Sequence, residues 1–392
     1  MQPAGFSHKT PEARLRNLRG EDLMKLLSPF AMGLGTLRNR VAYLPFPTAY
    51  AEKDGSVSPL MLVHYLRMAA AGPGLVVVEG SGINPRACAH RCLHVNRRTL
   101  PGFARLASAI KSTGCRVMLQ LVHAGRFNYM NRVGPSPVPL FGRLPVREMA
   151  VNELKGIAND FAQAALIAKE AGFDGVELHG ELGCLLASFL SPRTNVREDE
   201  YGGTPERRMA FPLEVAAAVR GAVGDWPVGY RLMAREFLEG GFAIEESQAF
   251  AVRLAEVLSP CYISVAAGSH ECWTSCFHEG TRLPDMFGVH EAEAIKKAVP
   301  HLPVIASGRL GTPADCEALL ERGGADMIGL SRALFADAEW IRKAAGEVKE
   351  PIRPCTQCAT CVRQVCSSMP AFCSQWSAEE RLQRLKAPMI RI

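Results

Sequence analysis

The chain has 392 residues and a mass of 42.6 kDa, with 48% hydrophobic residues, 21% charged residues and a net charge of +6. That content suffices for one large core or two modest ones, and it excludes a disordered chain or a polybasic nucleic-acid tail. The outlier is 13 cysteines, five of them between Cys355 and Cys373; an odd, end-clustered set is no disulfide framework and points to a reduced compartment with a metal or redox site.

The opening residues, MQPAGFSHKTPEARLRNLRGED, mix acid, base and proline where a signal peptide needs an apolar run. No stretch of about 18 apolar residues follows, so a cytoplasmic protein without a membrane span is expected. Short β-branched runs then alternate with segments of helical spacing. The strand candidates are VAYLPF (41–46), LVVVE (75–79), RVMLQL (116–121), DGVELH (174–179), PVGYRL (227–232), YISVAA (262–267), LPVIAS (302–307) and DMIGL (326–330). Eight strands with intervening helices predict an α/β fold, a (β/α)8 TIM barrel. A doubly wound sheet is the runner-up, but no G-x-G-x-x-G follows the first strand. Thr204-Pro205 and Thr312-Pro313 mark helix starts, a capping hydroxyl followed by proline in the first turn. Two long connections, 123–151 and 179–203, follow strands, where a barrel builds its active site. The expected division is an N-terminal extension (1–25), a barrel (26–350) and a cysteine-rich tail (351–392).

In such a barrel every strand ends in one mouth. The residues gathered there are Pro45 and Thr48, Glu79, Gln120 and His123, His179, Arg231, His270, Gly308 and Arg309, then Gly329, Ser331 and Arg332. The set is polar and rich in cations. ASGRLGTP places backbone N–H groups before a helix, and GLSRAL adds a cation, a combination that suits a phosphate.

Six blocks in order resemble the flavin-dependent old yellow enzyme superfamily, in the branch of 2,4-dienoyl-CoA reductase, 2-enoate reductase and trimethylamine dehydrogenase. They are LLSPFAMGLGTLRNRVAYLPFPTAYAEKDGSVS, GLVVVEG, MLQLVHAGR, DGVELHG with FLSPRTNVREDEYGGTPERR, GYRLMAREFLEGG, and ASGRLGTPADCEALLERGGADMIGLSRALFAD. The resemblance runs from about Leu26 to Cys373 and implies a bound FMN, with NAD(P)H as an electron donor. It implies that Pro45 and Thr48 lie against the flavin, Thr48 near C4 and N5, a role that one inserted residue would shift to Pro47. Gln120 would meet the pyrimidine edge, and Arg231 would stabilise negative charge near N1 and the C2 carbonyl. Gly308, Arg309, Gly329 and Arg332 would hold the phosphate. The plainer alternatives are an ion-paired Arg231 and a Gln120 that merely fills the barrel.

His179 matches the residue that polarises the substrate's activating carbonyl in much of the family. A histidine or asparagine three residues on and a tyrosine two beyond that are usual; this chain has Leu182 and Cys184. The usual proton donor is therefore absent. Cys184 is a candidate acid, or a small buried hydrophobe. His270 is the better candidate, since its place resembles a histidine of dienoyl-CoA reductases and imidazole titrates near neutrality.

In RPCTQCATCVRQVCSSMPAFC, Cys355, Cys358 and Cys361 recur at two-residue intervals and Cys373 follows. On spacing alone, zinc and a [4Fe-4S] cluster are equally served, and Cys366 could replace Cys373. The iron-sulfur branch of the family places a similar cluster at this point, which implies [4Fe-4S]. CAHRCLH (Cys88, His90, Cys92, His94) would share one face if extended, as a metal set or, preferably, a pocket-lining loop. Trp273 and Phe277 of HECWTSCFH are expected to line the substrate mouth. Multidomain relatives continue past the cluster into FAD- and nicotinamide-binding domains, whereas 19 residues follow Cys373 here. A separate electron-transfer protein, or direct reduction by NAD(P)H, is the corresponding expectation. SAEERLQRLKAPMIRI reads as an amphipathic helix that docks on the barrel or a partner.

The resulting expectation is an FMN- and iron-sulfur-dependent enzyme that reduces an activated C=C bond of a small-molecule enoate, enone or enoyl thioester, with homo-oligomerisation left open. The alternatives are an amine dehydrogenase or N-demethylase of the same superfamily, and a non-catalytic flavin- or zinc-binding relay.

Overall fold

The computed structural model describes residues 24–88, 91–273 and 286–386. Eight parallel strands form the core: β1 (Val41–Tyr43), β2 (Leu75–Gly82), β3 (Arg116–Val122), β4 (Gly175–Gly180), β5 (Val228–Met233), β6 (Ile263–Ala266), β7 (Val304–Ala306) and β8 (Met327–Leu330). Each pairs with its sequence neighbours, and β8 pairs with β1, so the sheet closes into a barrel. β1 is shorter than the apolar run VAYLPF suggests. Leu44 still donates its N–H to the Leu330 carbonyl, but Pro45 and Pro47 have no N–H to continue the ladder.

Helices α1 (Pro59–Ala70), α2 (Leu100–Lys111), α3 (Val151–Glu170), α4 (Pro205–Val223), α5 (Ile244–Leu258), α6 (Phe287–Ala298), α7 (Pro313–Glu321) and α8 (Trp340–Ala344) surround the strands. Ser58, Thr204 and Thr312 cap α1, α4 and α7 by accepting from Met61, Arg207 and Asp315 N–H groups, each with proline in the first turn.

Strand alternation divides the interior in two. Val76, Val78, Val117, Leu119, Val176, Leu178, Ile263, Val265 and their neighbours face the helices in one continuous core. Leu44, Leu75, Val77, Met118, Tyr262, Ile305 and Met327 fill the lumen as a second cluster. Leu34 and Leu37, from the hairpin that pairs Phe30–Met32 with Gly35–Leu37, join that lumen cluster. Gly329 belongs to this packing, because a Cβ there would stand 2.3 Å from Leu44 Cδ1. Continuing the inward parity toward the strand C-termini reaches Glu79, Gln120, Glu177, His179, Arg231, Ser264 and Ser307. The lumen is thus apolar below and polar above.

Past α8, the carboxylate of Asp337 accepts from Lys343 Nζ and from Arg353 N–H, both at 2.8 Å, and so fixes where the tail begins. Short helices Thr360–Cys366 and Ala378–Leu385 follow, the second capped by Ser377 and Glu380. Trp376 packs on Phe335 at 4.7 Å between ring centroids, and Phe335 on Phe46 at 4.9 Å. Ala371 donates its N–H to the Thr48 carbonyl at 2.9 Å and accepts from Tyr50 Oη at 2.6 Å. The tail is therefore sewn to the loop after β1. Among the described residues no helix is long and apolar enough to cross a membrane.

Candidate active site at the barrel mouth

Register brings the first pair together: His179 lies beside Arg231, and Arg231 beside Ser264, on adjacent parallel strands. Arg231 donates from Nη1 to Ser264 Oγ at 2.7 Å and from Nη2 to Ser307 Oγ at 3.5 Å, and its Nε forms an ion pair with Glu181 Oε1 at 2.5 Å. Burial opposes the guanidinium charge, but Glu181 and Glu177 outweigh it and hold the Arg231 pKa above its usual value. The same Glu181 oxygen is 3.8 Å from His179 Nε2. His179 Nδ1 is buried and has no hydrogen-bond partner among the described residues. Burial lowers the His179 pKa, with Glu181 opposing and Arg231 reinforcing that shift.

Two carboxylates sit beneath the other polar groups. Gln120 donates from Nε2 to Glu177 Oε1 at 2.7 Å, which leaves its amide oxygen for the mouth. Thr48 donates from Oγ1 to Glu79 Oε2 at 2.7 Å and from its N–H to Oε1 at 3.3 Å. Thr48 is buried whereas Pro47 is exposed, so the threonine, behind half-buried Pro45, is the side chain turned inward. Burial pushes both Glu79 and Glu177 up to about 7.

The loops after β4 and β6 are joined across the mouth. Leu182 pairs with Ser269 and accepts from His270 N–H at 3.0 Å. The His270 ring packs on Phe127 at 4.6 Å, and burial, with the charge of His179 next, lowers its pKa to about 4. Cys184 is the N-cap residue of a short helix, Leu185–Leu190. Burial and then the Glu181 charge push its thiol far up, which makes it a weak acid. Arg126 forms a buried ion pair with Glu271 at 2.9 Å that ties the loop after β3 to the same place.

Gly308 adopts φ 117°, and a Cβ there would lie 2.7 Å from Gly288 N, so only glycine lets the loop after β7 lie against α6. Arg309 stacks on Phe287 at 5.6 Å, Phe287 on Trp273 at 5.6 Å, and Trp273 under Arg332 at 5.4 Å. Phe277 and His90 lie outside the described residues. Among the described residues of CAHRCLH, Arg91 takes φ 60°, which is not the extended backbone that a shared face requires, and Cys88 is buried.

Cys355, Cys358, Cys361 and Cys373 line one small pocket, with a cavity volume of about 10 Å³, together with Arg332 and Phe335. Cys366 does not line it. Burial works against the Cys358 thiolate, but hydrogen bonds to Ser374 and Thr360 lower its pKa to about 6. Burial raises Cys361 to about 11 despite Arg332. Among the described residues, no three His, Cys, Asp or Glu side chains converge closely enough for one metal ion.

Glu177, Glu181, Ser264 and Ser307 are site residues that motif reading misses. Period two could have found three of them: Glu177 precedes His179 by two residues, and Ser264 and Ser307 share the inward parity.

The profile of a family described as NADH:flavin oxidoreductase / NADH oxidase matches residues 25–350. An NADH oxidase of Thermoanaerobacter brockii is 39% identical over 347 residues, 85% of this chain and 52% of that protein. A 2-naphthoyl-CoA reductase structure with 2-naphthoyl-CoA superposes with a TM-score of 0.85 at 26% identity, covering 91% of this chain and 57% of that one. Histamine dehydrogenase from Rhizobium sp. 4-9 superposes with a TM-score of 0.77 at 25% identity, covering 90% and 52%. The chain thus spans about half the length of these relatives.

Proposed function

Because this chain belongs to the NADH:flavin oxidoreductase / NADH oxidase family, we propose that it is an FMN- and [4Fe-4S]-dependent ene-reductase acting on an enoate, enone or enoyl thioester. The flavin oxidoreductase activity is the family's; the reaction and the cluster are our reading. The observation that carries it is the gathering of Thr48, Gln120, His179 and Arg231 on one polar layer at the strand C-termini. The unpartnered His179 Nδ1 fits a ligand at that layer, and Cys355, Cys358, Cys361 and Cys373, which line one pocket, are the thiols that would hold the cluster.

FMN, when bound, supplies the hydride and holds electrons from NAD(P)H or a partner protein. Gln120, with its NH2 engaged by Glu177, offers its carbonyl to a ring N–H. Arg231 would offset negative charge on the reduced ring, and Thr48, braced by Glu79, would contact it. Gly308, Arg309 and Arg332, with the backbone at Gly329, receive the phosphate. His179 polarises the acceptor carbonyl, so that enolate charge is stabilised as the β-carbon is reduced. His270, held near neutral imidazole, is a weak acid at pH 7, which leaves solvent or another group to deliver the proton.

Amine dehydrogenation is the second reading. Leu182 and Cys184 remove the usual proton donor, which that reaction does not need at carbon, and histamine dehydrogenase shares the fold.

Anaerobically purified protein separates these readings by its absorbance spectrum and its iron, zinc and flavin content. Equimolar flavin, about four irons and return of the oxidised spectrum when an enone meets dithionite-reduced protein are expected. A colourless zinc protein would sink both flavoenzyme readings, and bleaching of the oxidised protein by a methylated amine would establish the second.

A further inference from the structure

Glu181 stands at the centre of the mouth, and the function proposed above gives it no work. It precedes a left-handed pair, Leu182 at φ 57° and Gly183 at φ 78°. Leucine is disfavoured in that region; the bridge to Ser269 and the bond from His270 N–H hold it there. Glu181 thereby reaches two groups with one oxygen, Arg231 Nε at 2.5 Å and His179 Nε2 at 3.8 Å. The charged and titratable neighbours of this cluster are Arg231, His179, His270 and Cys184, with Glu177 and Tyr262 beneath Arg231.

A neutral imidazole carries one N–H. If Nε2–H faces Glu181, Nδ1 is left as an acceptor, which cannot polarise a carbonyl oxygen or deliver a proton. With Nε2–H kept toward Glu181, only the imidazolium also presents Nδ1–H, and a carboxylate opposite Nε2 is the arrangement that orients and stabilises it. Burial and Arg231 lower the pKa of His179 as well, but Glu181 is the charged neighbour that counters the shift there; Cys184 is held protonated, and no tyrosine stands at its position.

We infer that Glu181 is the positioning residue for proton delivery, orienting His179 through Nε2 so that a cationic ring presents Nδ1–H to the substrate. This rests on the ene-reductase reading. As the β-carbon takes up hydride, the enolate forms against Nδ1–H. The N–H bond then breaks with its electron pair left on nitrogen, the α-C–H bond forms from the enolate pair, and water returns a proton to the ring. Glu181 stays a carboxylate throughout.

The test combines nitrogen-15 NMR of histidine-labelled holoenzyme, with His179 identified by loss of its signals in His179→Gln, and steady-state kinetics with an enone. In wild type the neutral form should carry its proton on Nε2. Glu181→Gln should move the His179 midpoint to lower pH and lower kcat about a hundredfold, with KM and flavin content nearly unchanged and partial rescue in Glu181→Asp. An unshifted His179 titration in Glu181→Gln overturns the inference whether or not alkenes are reduced. So does a neutral wild-type ring protonated on Nδ1, a result that needs no variant to fold. Normal coupling of the two residues without enone turnover would instead remove the ene-reductase reading.

Discussion

At Cys184 the thiol is enclosed by apolar neighbours and faces a carboxylate, and both hold its proton on. A general acid contributes on the order of a hundredfold or more to a rate, so Cys184→Ala is a sharp measurement. Enone turnover is expected to change by less than about threefold, the scale of a packing effect rather than of a lost general acid; a hundredfold fall would return proton transfer to this thiol. Single residues differ in how plainly the sequence announces them. Arg231 and Gln120 were legible because they end β-branched runs within matched blocks. Glu181 was not, since its importance comes from a left-handed turn at Leu182 that no propensity favours. The four cavity cysteines were legible from spacing, but the choice of Cys373 over Cys366 depends on how the chain folds back after Thr360–Cys366.

Among the elements, the eight barrel strands were readable, because parallel strands buried on both faces appear as continuous apolar runs, whereas the short hairpin at Phe30–Leu37 was not. Their ends were less so: proline chemistry stops β1 three residues before its apolar run does. The tail illustrates what periodicity cannot supply. Its two short helices carry little core of their own, and their position is set by Trp376 against Phe335 and by the paired bonds of Ala371 to Thr48 and Tyr50. Arg384 and Arg381 stack on Trp376 and Phe372 at 4.5 and 4.0 Å, and Leu385 packs against the barrel core, so the helix lies against both the tail and the barrel. Trp376→Ala should cost about 3 to 5 kcal/mol and lower the metal content of purified protein more than its flavin content. Guanidinium unfolding and metal assay check this; an unchanged metal content would show that Trp376 packing does not support the thiol cavity.

For the whole molecule, acid stability reports how the interior handles protons. His64, enclosed by Tyr43, Tyr50, Tyr65 and Phe335, is held down to about 3 by burial, and His123 to about 4. A histidine whose folded pKa lies below its unfolded value lets the unfolded chain bind more protons, so stability is lost as pH falls from about 6.5. Glu79 and Glu177, raised to about 7, act oppositely: their contribution is full below about 4.5 and is lost as pH rises to 7. His64→Gln keeps an acceptor for Tyr43 Oη and removes one titration. Its stability should fall less steeply below pH 6.5, by up to about 1.4 kcal/mol per unit, in urea unfolding read by tryptophan fluorescence. Parallel acid limbs would exonerate His64. The closed barrel and the tail also impose an order in time. β1 finds its second neighbour only with β8, and the Thr48 loop gains its bonds to Ala371 later still. During synthesis, therefore, one wall of the mouth stays unfinished until more than 300 further residues have been made. Completion of the cofactor site must then wait until the segment through Ala371 has been made and has folded back on the Thr48 loop.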